Sequence, residues 1–228
     1  FSIGSWNYKP LWAHEAEKKE SSVSLYCTSV NMYKFWRHED KEPDTYGLKT
    51  MLWNRFIVWD KQQEDYLKQY RPRAIFTRVG HLYYRGLAYS HVSKNGKKIL
   101  SVFDVTPSRT TFHTREGYAT PTSLGEWNFA FLEDIIKLFN DGTWEILWKV
   151  KRIVDSHFVS NAFMLKRFNL VDDNMIIIEP GVAATSLVVN SDAVISMPFS
   201  SPSCIAKVKG VPSIYCDRSG LVRYTENQ

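Results

Sequence analysis

Short apolar runs alternate with helix-period segments through the second half of the chain. Ile99–Phe103 (ILSVF) is apolar apart from one Ser and lies between Gly96-Lys97-Lys98 and Asp104, the form of a buried strand. Glu126–Phe139 (EWNFAFLEDIIKLF) places apolar residues at helical spacing and stops at Asn140-Asp141-Gly142, a helix-ending signal. Trp144–Trp148 (WEILW), Met175–Ile178 (MIII), Ala193–Ser196 (AVIS) and Ser213–Tyr215 read as further strands. Val159–Phe168, Val182–Asn190 and Pro202–Val208 read as the helices between them. An alternation of helices with short, fully apolar strands predicts a parallel sheet covered on both faces. Right-handed crossovers then bring the carboxyl ends of the strands to one edge, where ligands of such sheets sit.

The first part is less regular. Lys9–Glu20 predicts a helix, Val23–Cys27 a strand, Asp60–Tyr70 a polar-faced helix, and Ala74–Thr77 a strand leading into Val79-Gly80. The polar, turn-rich stretch 85–98 (RGLAYSHVSKNGKK) reads as a linker. The expected fold class is α/β with parallel sheets. A partial N-terminal domain is expected over 1–96 and a Rossmann-like domain over 97–228.

Composition narrows the partners. The net charge of +5 favours nucleotide phosphates, acidic glycans or a lipid surface, although a solvated surface alone accounts for a mild excess. No Lys/Arg run is interleaved with stacking aromatics, so no nucleic-acid partner is expected. The aromatic share, 14%, suits deep cores or sugar-facing surfaces. Cys27, Cys204 and Cys216 are too far apart and too few for a disulfide framework or a zinc site, which favours a reducing, cytoplasmic setting. No apolar run reaches the length of a membrane span and no signal peptide is visible. The chain opens at Phe1 rather than Met, so an upstream targeting segment stays open.

Several polar residues fall just after expected strands. Ser196–Ser203 (SMPFSSPS) follows AVIS and leads into an apolar helix, which gathers Ser200, Ser201 and Ser203 at a helix start. Unpaired N–H groups, the positive end of the helix dipole and added hydroxyls form an anion cradle for a phosphate. Plain N-capping by one Ser is the rival reading. Asp104, directly after ILSVF, is a candidate nucleophile, base or sugar ligand, or else the cap of an Asx-type turn. Arg109, a few residues on, suits a carboxylate or phosphate. Lys149, Lys151 and Arg152 follow WEILW and would neutralise a nucleotide or acidic sugar. Glu179, after MIII, is placed to meet a ribose or base. His157 is a candidate for phosphate contact or proton transfer, and His81 for a substrate contact. The absence of HExxH, DxD, GxGxxG, P-loop and GxSxG patterns sets aside zincins, DxD-type metal-dependent transferases, standard dinucleotide enzymes, P-loop NTPases and α/β-hydrolases.

From Ile176 to Gly220 the chain resembles the C-terminal half of bacterial surface-polysaccharide glycosyltransferases of the GT-B architecture. The matching residues are Ser191-Asp192, Val194-Ile195-Ser196, Pro198-Phe199-Ser200-Ser201 and Pro212-Ser213-Ile214-Tyr215, with Cys216 where the group has a second Tyr. Phe103–Pro107 (FDVTP) shares the resemblance. It implies two Rossmann-like domains, a nucleotide-sugar donor held by the second, and a glycan or lipid-linked glycan acceptor. Similarity to transferases of Kdo and sialic acid favours a CMP-linked acidic sugar, no metal and no cofactor, and makes Asp104 the counterpart of a nucleophilic aspartate. Peripheral association with the inner face of the inner membrane is compatible with such acceptors. A UDP-sugar transferase, a GT-B-like nucleotide-sugar epimerase, and a non-catalytic nucleotide- or glycan-binding module of a larger synthase remain open.

Overall fold

The computed structural model describes residues 9–27, 36–37, 51–80, 88–93, 96–107, 125–139, 141–151, 175–198, 200–220 and 222–223. The chain forms two compact units, Phe1–Leu82 with Arg223–Gln228, and Tyr83–Val222. Both are α/β with a parallel sheet, as the alternation of elements predicts. The division falls at 82/83 rather than the expected 96/97. The reason is that part of the supposed linker is packed: the N–H of Tyr89 donates to Ser186 Oγ at 2.6 Å, and His91 meets Glu145 at 2.7 Å.

In the first unit, α1 (Leu11–Lys18), β1 (Leu25–Tyr26), β2 (Trp36–Arg37), β3 (Arg55–Val58), α2 (Lys61–Lys68) and β4 (Ile75–Arg78) follow in order. Its sheet runs β1-β3-β4, with Leu25 opposite Phe56 and Arg55 opposite Ile75. Helix α2 starts where the sequence sets a cap. Asp60 accepts from the N–H of Gln63 at 2.9 Å, while Gln63 Oε1 accepts from the N–H of Trp59 at 2.9 Å. This reciprocal pair satisfies two otherwise orphaned donors at the helix entrance. Tyr66 and Leu67 of α2 then bury against Met51, Trp53, Phe56 and Val58. Strand β3 (RFIV) is absent from the sequence-based expectation.

The second unit holds β5 (Lys98–Phe103), α3 (Gly125–Phe139), β6 (Trp144–Lys149), β7 (Met175–Ile178), α4 (Ala184–Val188), β8 (Ala193–Ser196), α5 (Ser201–Lys209) and β9 (Ser213–Tyr215). The last strand is β10 (Val222–Arg223). The expected helix Val159–Phe168 lies outside the described residues. Strands β7-β6-β5-β8-β9 form one all-parallel sheet.

Period-two alternation sorts the side chains onto two faces. Leu100, Val102, Ile146, Trp148 and Ile195 pack with Phe131, Leu132 and Ile135 of α3. Ile99, Phe103, Leu147, Ile178 and Val194 pack with Leu187 and Val188 of α4 and Ile205 and Ala206 of α5. Each such side chain contributes roughly 1.5–3 kcal/mol when fully buried, so helices on both faces are what make uninterrupted apolar strands stable. The amino edge is locked by Asp192, whose carboxylate accepts from the N–H of Ile99 at 2.7 Å while its own N–H reaches the Ile99 carbonyl at 2.9 Å. The Oγ atoms of Ser191 and Ser101 lie 2.6 Å apart. Ser191-Asp192 therefore clamps β8 beside β5.

Candidate functional site

In order of appearance within the second unit, the strands lie 3-2-1-4-5 across the sheet, so the winding reverses between β5 and β8. The crevice outside the carboxyl ends at such a reversal is the usual ligand position of open parallel sheets. Four segments end on this edge: Asp104 after β5, Lys149-Val150-Lys151 at the end of β6, Glu179 after β7, and the turn from Met197 to Ser200 after β8. The pairing of Phe103 with Ser196 brings the first and last of these side by side. Met197 packs in the core on the α3 face, whereas α5 packs on the opposite face. The turn between them thus crosses the edge of the sheet beside Asp104.

Asp104 is 3% exposed, and neither carboxylate oxygen has a hydrogen-bond partner. Burial pushes its pKa up to about 7. The indole N–H of Trp148 and the ammonium groups of Lys151 and Lys149 oppose that rise. Trp148 faces the carboxylate without the distance and angle of a regular hydrogen bond, for its Nε1 is also unpartnered. Thr106 Oγ1 and Asn128 Oδ1 are buried and unpartnered too. All the orphaned side-chain polar atoms of the second unit's described residues thus belong to the Asp104 neighbourhood. Native interiors pair nearly all such atoms, so a cluster of exceptions calls for an explanation. Asn128, fully buried on α3, holds the two strand ends together: its Nδ2 donates to the carbonyl of Val105 and to Met197 Sδ at 3.3 Å. With a pKa near neutrality, the Asp104 carboxyl can take up or release a proton under physiological conditions.

The three serines play different parts. Ser200 is the N-cap of α5, but its hydroxyl donates back to the Met197 carbonyl at 2.6 Å and does not cap the helix. Its own carbonyl accepts from Tyr215 Oη at 3.0 Å. Ser203 turns inward, with Oγ 2.6 Å from Ser196 Oγ. Ser201, the first helical residue, is partly exposed, and Pro202 follows it. These bonds shape the turn and leave the helix start without a side-chain cap, so its first-turn N–H groups and the partly exposed Ser201 sit at the positive end of the helix dipole. Pro at this position removes no useful donor and presets the helical φ.

Lys149 is 8% exposed, and its Nζ donates to the carbonyls of Val150 at 3.2 Å and Pro180 at 3.1 Å. It ties the ends of β6 and β7 together and adds positive potential beside Asp104. Burial lowers its pKa and the Asp104 charge raises it. Lys151 and Glu179 are exposed on the same edge. His81, Arg109, Arg152 and His157 lie outside the described residues. Among the described residues, no group of three or more His, Cys, Asp or Glu is placed to hold a metal ion, and no helix is long and apolar enough to cross a membrane. Sequence reasoning passed over Trp148, Thr106 and Asn128. Of these only Asn128 carried a signal, a lone amide on the apolar face of an otherwise hydrophobic helix.

The chain is similar in structure to the glycotransferase of kitacinnamycin, at 14% identity and a TM-score of 0.42, over 74% of this chain and 38% of that one. It is similar to TarM at 15% identity and a TM-score of 0.43, over 89% of this chain and 42% of that one. The chain thus spans less than half the length of either. No curated protein sequence matches it. The model of one family, described as polysaccharide biosynthesis PFTS motif protein, matches residues 1–228. Its four letters correspond to Pro198-Phe199-Ser200-Ser201, with Ser200 where the motif has Thr, the turn that opens α5 beside Asp104. The chain belongs to the polysaccharide biosynthesis PFTS motif protein family.

Proposed function

We propose that the chain is part of a metal-independent glycosyltransferase of GT-B architecture that adds a sugar to a growing bacterial surface glycan. The favoured donor is a CMP-linked acidic sugar such as Kdo. One observation carries the reading: a buried, unpaired Asp104 meets the turn of the family's motif at the switch point of a parallel sheet. In this reading the first-turn N–H groups of α5 and the Ser201 hydroxyl hold the donor phosphate, as helix starts do. Lys149 and Lys151 offset the negative charge of nucleotide and sugar. Glu179 approaches the nucleoside. Asp104, once ionised, attacks the anomeric carbon as the CMP phosphate departs with the bonding electron pair. The acceptor hydroxyl then displaces the carboxylate in a second step, its proton passing to the released Asp104 carboxylate and on to solvent. The transition state resembles an oxocarbenium ion, whose positive charge the Asp104 carboxylate stabilises. The lack of a DxD motif fits a donor that carries a single phosphate and needs no metal bridge between two.

Calorimetry with CMP and with UDP tests the nucleotide. CMP binding that weakens in Ser201→Ala is the expected result; tight UDP binding without CMP binding would replace the donor assignment with a UDP-sugar. Mass spectrometry tests the chemistry. With a CMP-linked acidic sugar and no acceptor, the chain is expected to gain the mass of that sugar, and Asp104→Asn to bind CMP but gain nothing. A non-catalytic module would bind nucleotide and never gain mass, and an epimerase would convert the donor with no acceptor present.

A further inference from the structure

A cavity of about 450 Å3 lies at the amino edge of the first unit's sheet. Residues entering β3, Trp53 and Arg55, form one wall; Tyr70, Arg71 and Arg73, on the link from α2 to β4, form the other. Three arginines, Arg55, Arg71 and Arg73, are among the residues that line it, and among the described residues no Asp or Glu does. Among the described residues no acidic group pairs with these arginines, whereas Arg78 on the same strand system has Glu64 at 3.1 Å. Two N–H donors of the lining are buried without a partner, Arg71 Nε and Trp53 Nε1, and Trp53 is only 1% exposed.

The backbone under these donors is fixed. Arg71 precedes Pro72, which restricts it to extended conformations. The N–H of Ala74 closes a turn on the Arg71 carbonyl at 3.1 Å, and that of Ile75 bonds the Asn54 carbonyl at 2.9 Å. Like charges gathered together repel one another, and an oxyanion placed among them lowers that repulsion. The guanidinium fork matches carboxylate and phosphate oxygens in pairs. The volume suits a ligand of sugar size, and the half-buried ring of Tyr70 adds an apolar wall.

We propose that this cavity is a binding site for an acidic sugar unit, one carrying a carboxylate or phosphate, of a glycan handled by this polysaccharide-biosynthesis protein. A concave pocket for one residue favours a glycan over a single-stranded nucleic acid, which calls for a row of stacking aromatics. The site belongs to the first unit and does not depend on the nucleotide assignment, which concerns the second.

The test is calorimetric titration of the full chain with trigalacturonate, mannose 6-phosphate and neutral maltotriose. At least one of the two anionic sugars is expected to bind, the tighter one identifying the preferred oxyanion, and maltotriose is expected not to bind. Arg71→Gln combined with Arg73→Gln is expected to weaken binding by about tenfold or more, with CMP affinity unchanged. Where that variant does not fold, protection of Arg71 and Arg73 from phenylglyoxal by the anionic sugar in the unaltered chain gives the same answer. The site is refuted if neither anion binds, if maltotriose binds equally well, if neither substitution nor modification reports on these arginines, or if only phosphatidylglycerol vesicles bind.

Discussion

The N–H of Met197 donates to the carbonyl of Phe103 at 3.1 Å. This bond extends the pairing of β8 with β5 just beyond the strand ends, and it fixes the start of the motif turn against the residue before Asp104. The Asn128 amide reinforces the junction by bonding Val105 on one side and Met197 on the other. Carboxylate and turn are therefore placed by rigid elements, which is what a site needing accurate geometry requires.

The burial of Asp104 has a measurable consequence for stability. Its pKa is 3.8 when solvated, as in the unfolded chain, and about 7 in the fold. Between these values the folded chain holds a proton that the unfolded chain has released. Stability therefore falls as pH rises from about 4 to about 7, and this contribution is level above that. Asp104→Asn removes the effect. The variant is expected to match the unaltered chain near pH 4 and exceed it at pH 8, by an amount on the order of a few kcal/mol. Urea midpoints across that range check it, and equal midpoints at pH 8 would contradict the buried placement.

Ser201 and Ser203 separate structure from binding. Ser203→Ala leaves the buried Ser196 hydroxyl without its partner at 2.6 Å, which is expected to cost about 1–2 kcal/mol and leave nucleotide affinity unchanged. Ser201→Ala is expected to alter stability by less than about 0.5 kcal/mol while weakening nucleotide binding several-fold. Thermal unfolding and calorimetry on the two variants check both halves.

Strands with no polar interruption were the most legible part of the sequence. MIII, AVIS and SIY occupy the residues expected, because a short apolar run between turn residues is enough to mark a strand, even where β7 and β9, at the sheet's edges, leave Ile177 and Ile214 exposed. RFIV was missed: its flanking Trp53 and Trp59 blur the run, and only burial against α2 distinguishes it. Val182–Asn190 shortens to Ala184–Val188 because the N–H of Val182 bonds Glu179 in a turn first. At the site, an acid after an apolar strand made Asp104 visible. The inward hydroxyl of Ser203 was not, since its direction depends on Ser196 and on the neighbouring strand β9, both assembled only in the fold.

The Glu145 side chain, 2% exposed, meets His91 Nε2 at 2.7 Å, and the His91 ring stacks on Tyr89. Removing His91 takes one hydrogen-bond partner from the buried Glu145 side chain, at a cost of about 1–3 kcal/mol. His91→Ala is expected to lose that much, and Glu145→Gln added to it to recover part. A double-mutant cycle in urea checks the coupling; additive losses would mean that the His91–Glu145 contact does not help to hold the 88–93 segment.

Lys149 links the electrostatics of the rim to its architecture. Its ammonium favours the ionised form of Asp104, so Lys149→Met removes a cation and drives the Asp104 pKa above about 7. The fall of stability with pH should then continue to higher pH than in the unaltered chain, and the rising limb of any turnover that needs ionised Asp104 should move the same way. Independently, the variant loses both carbonyl contacts, to Val150 and Pro180, and is expected to lose about 1–3 kcal/mol. Carbon-13 NMR titration of the Asp104 carboxyl separates the two effects, because only the first moves its midpoint. A midpoint unchanged in Lys149→Met would show that the ammonium acts as a tie between β6 and the turn after β7 and has no hold on the charge of Asp104.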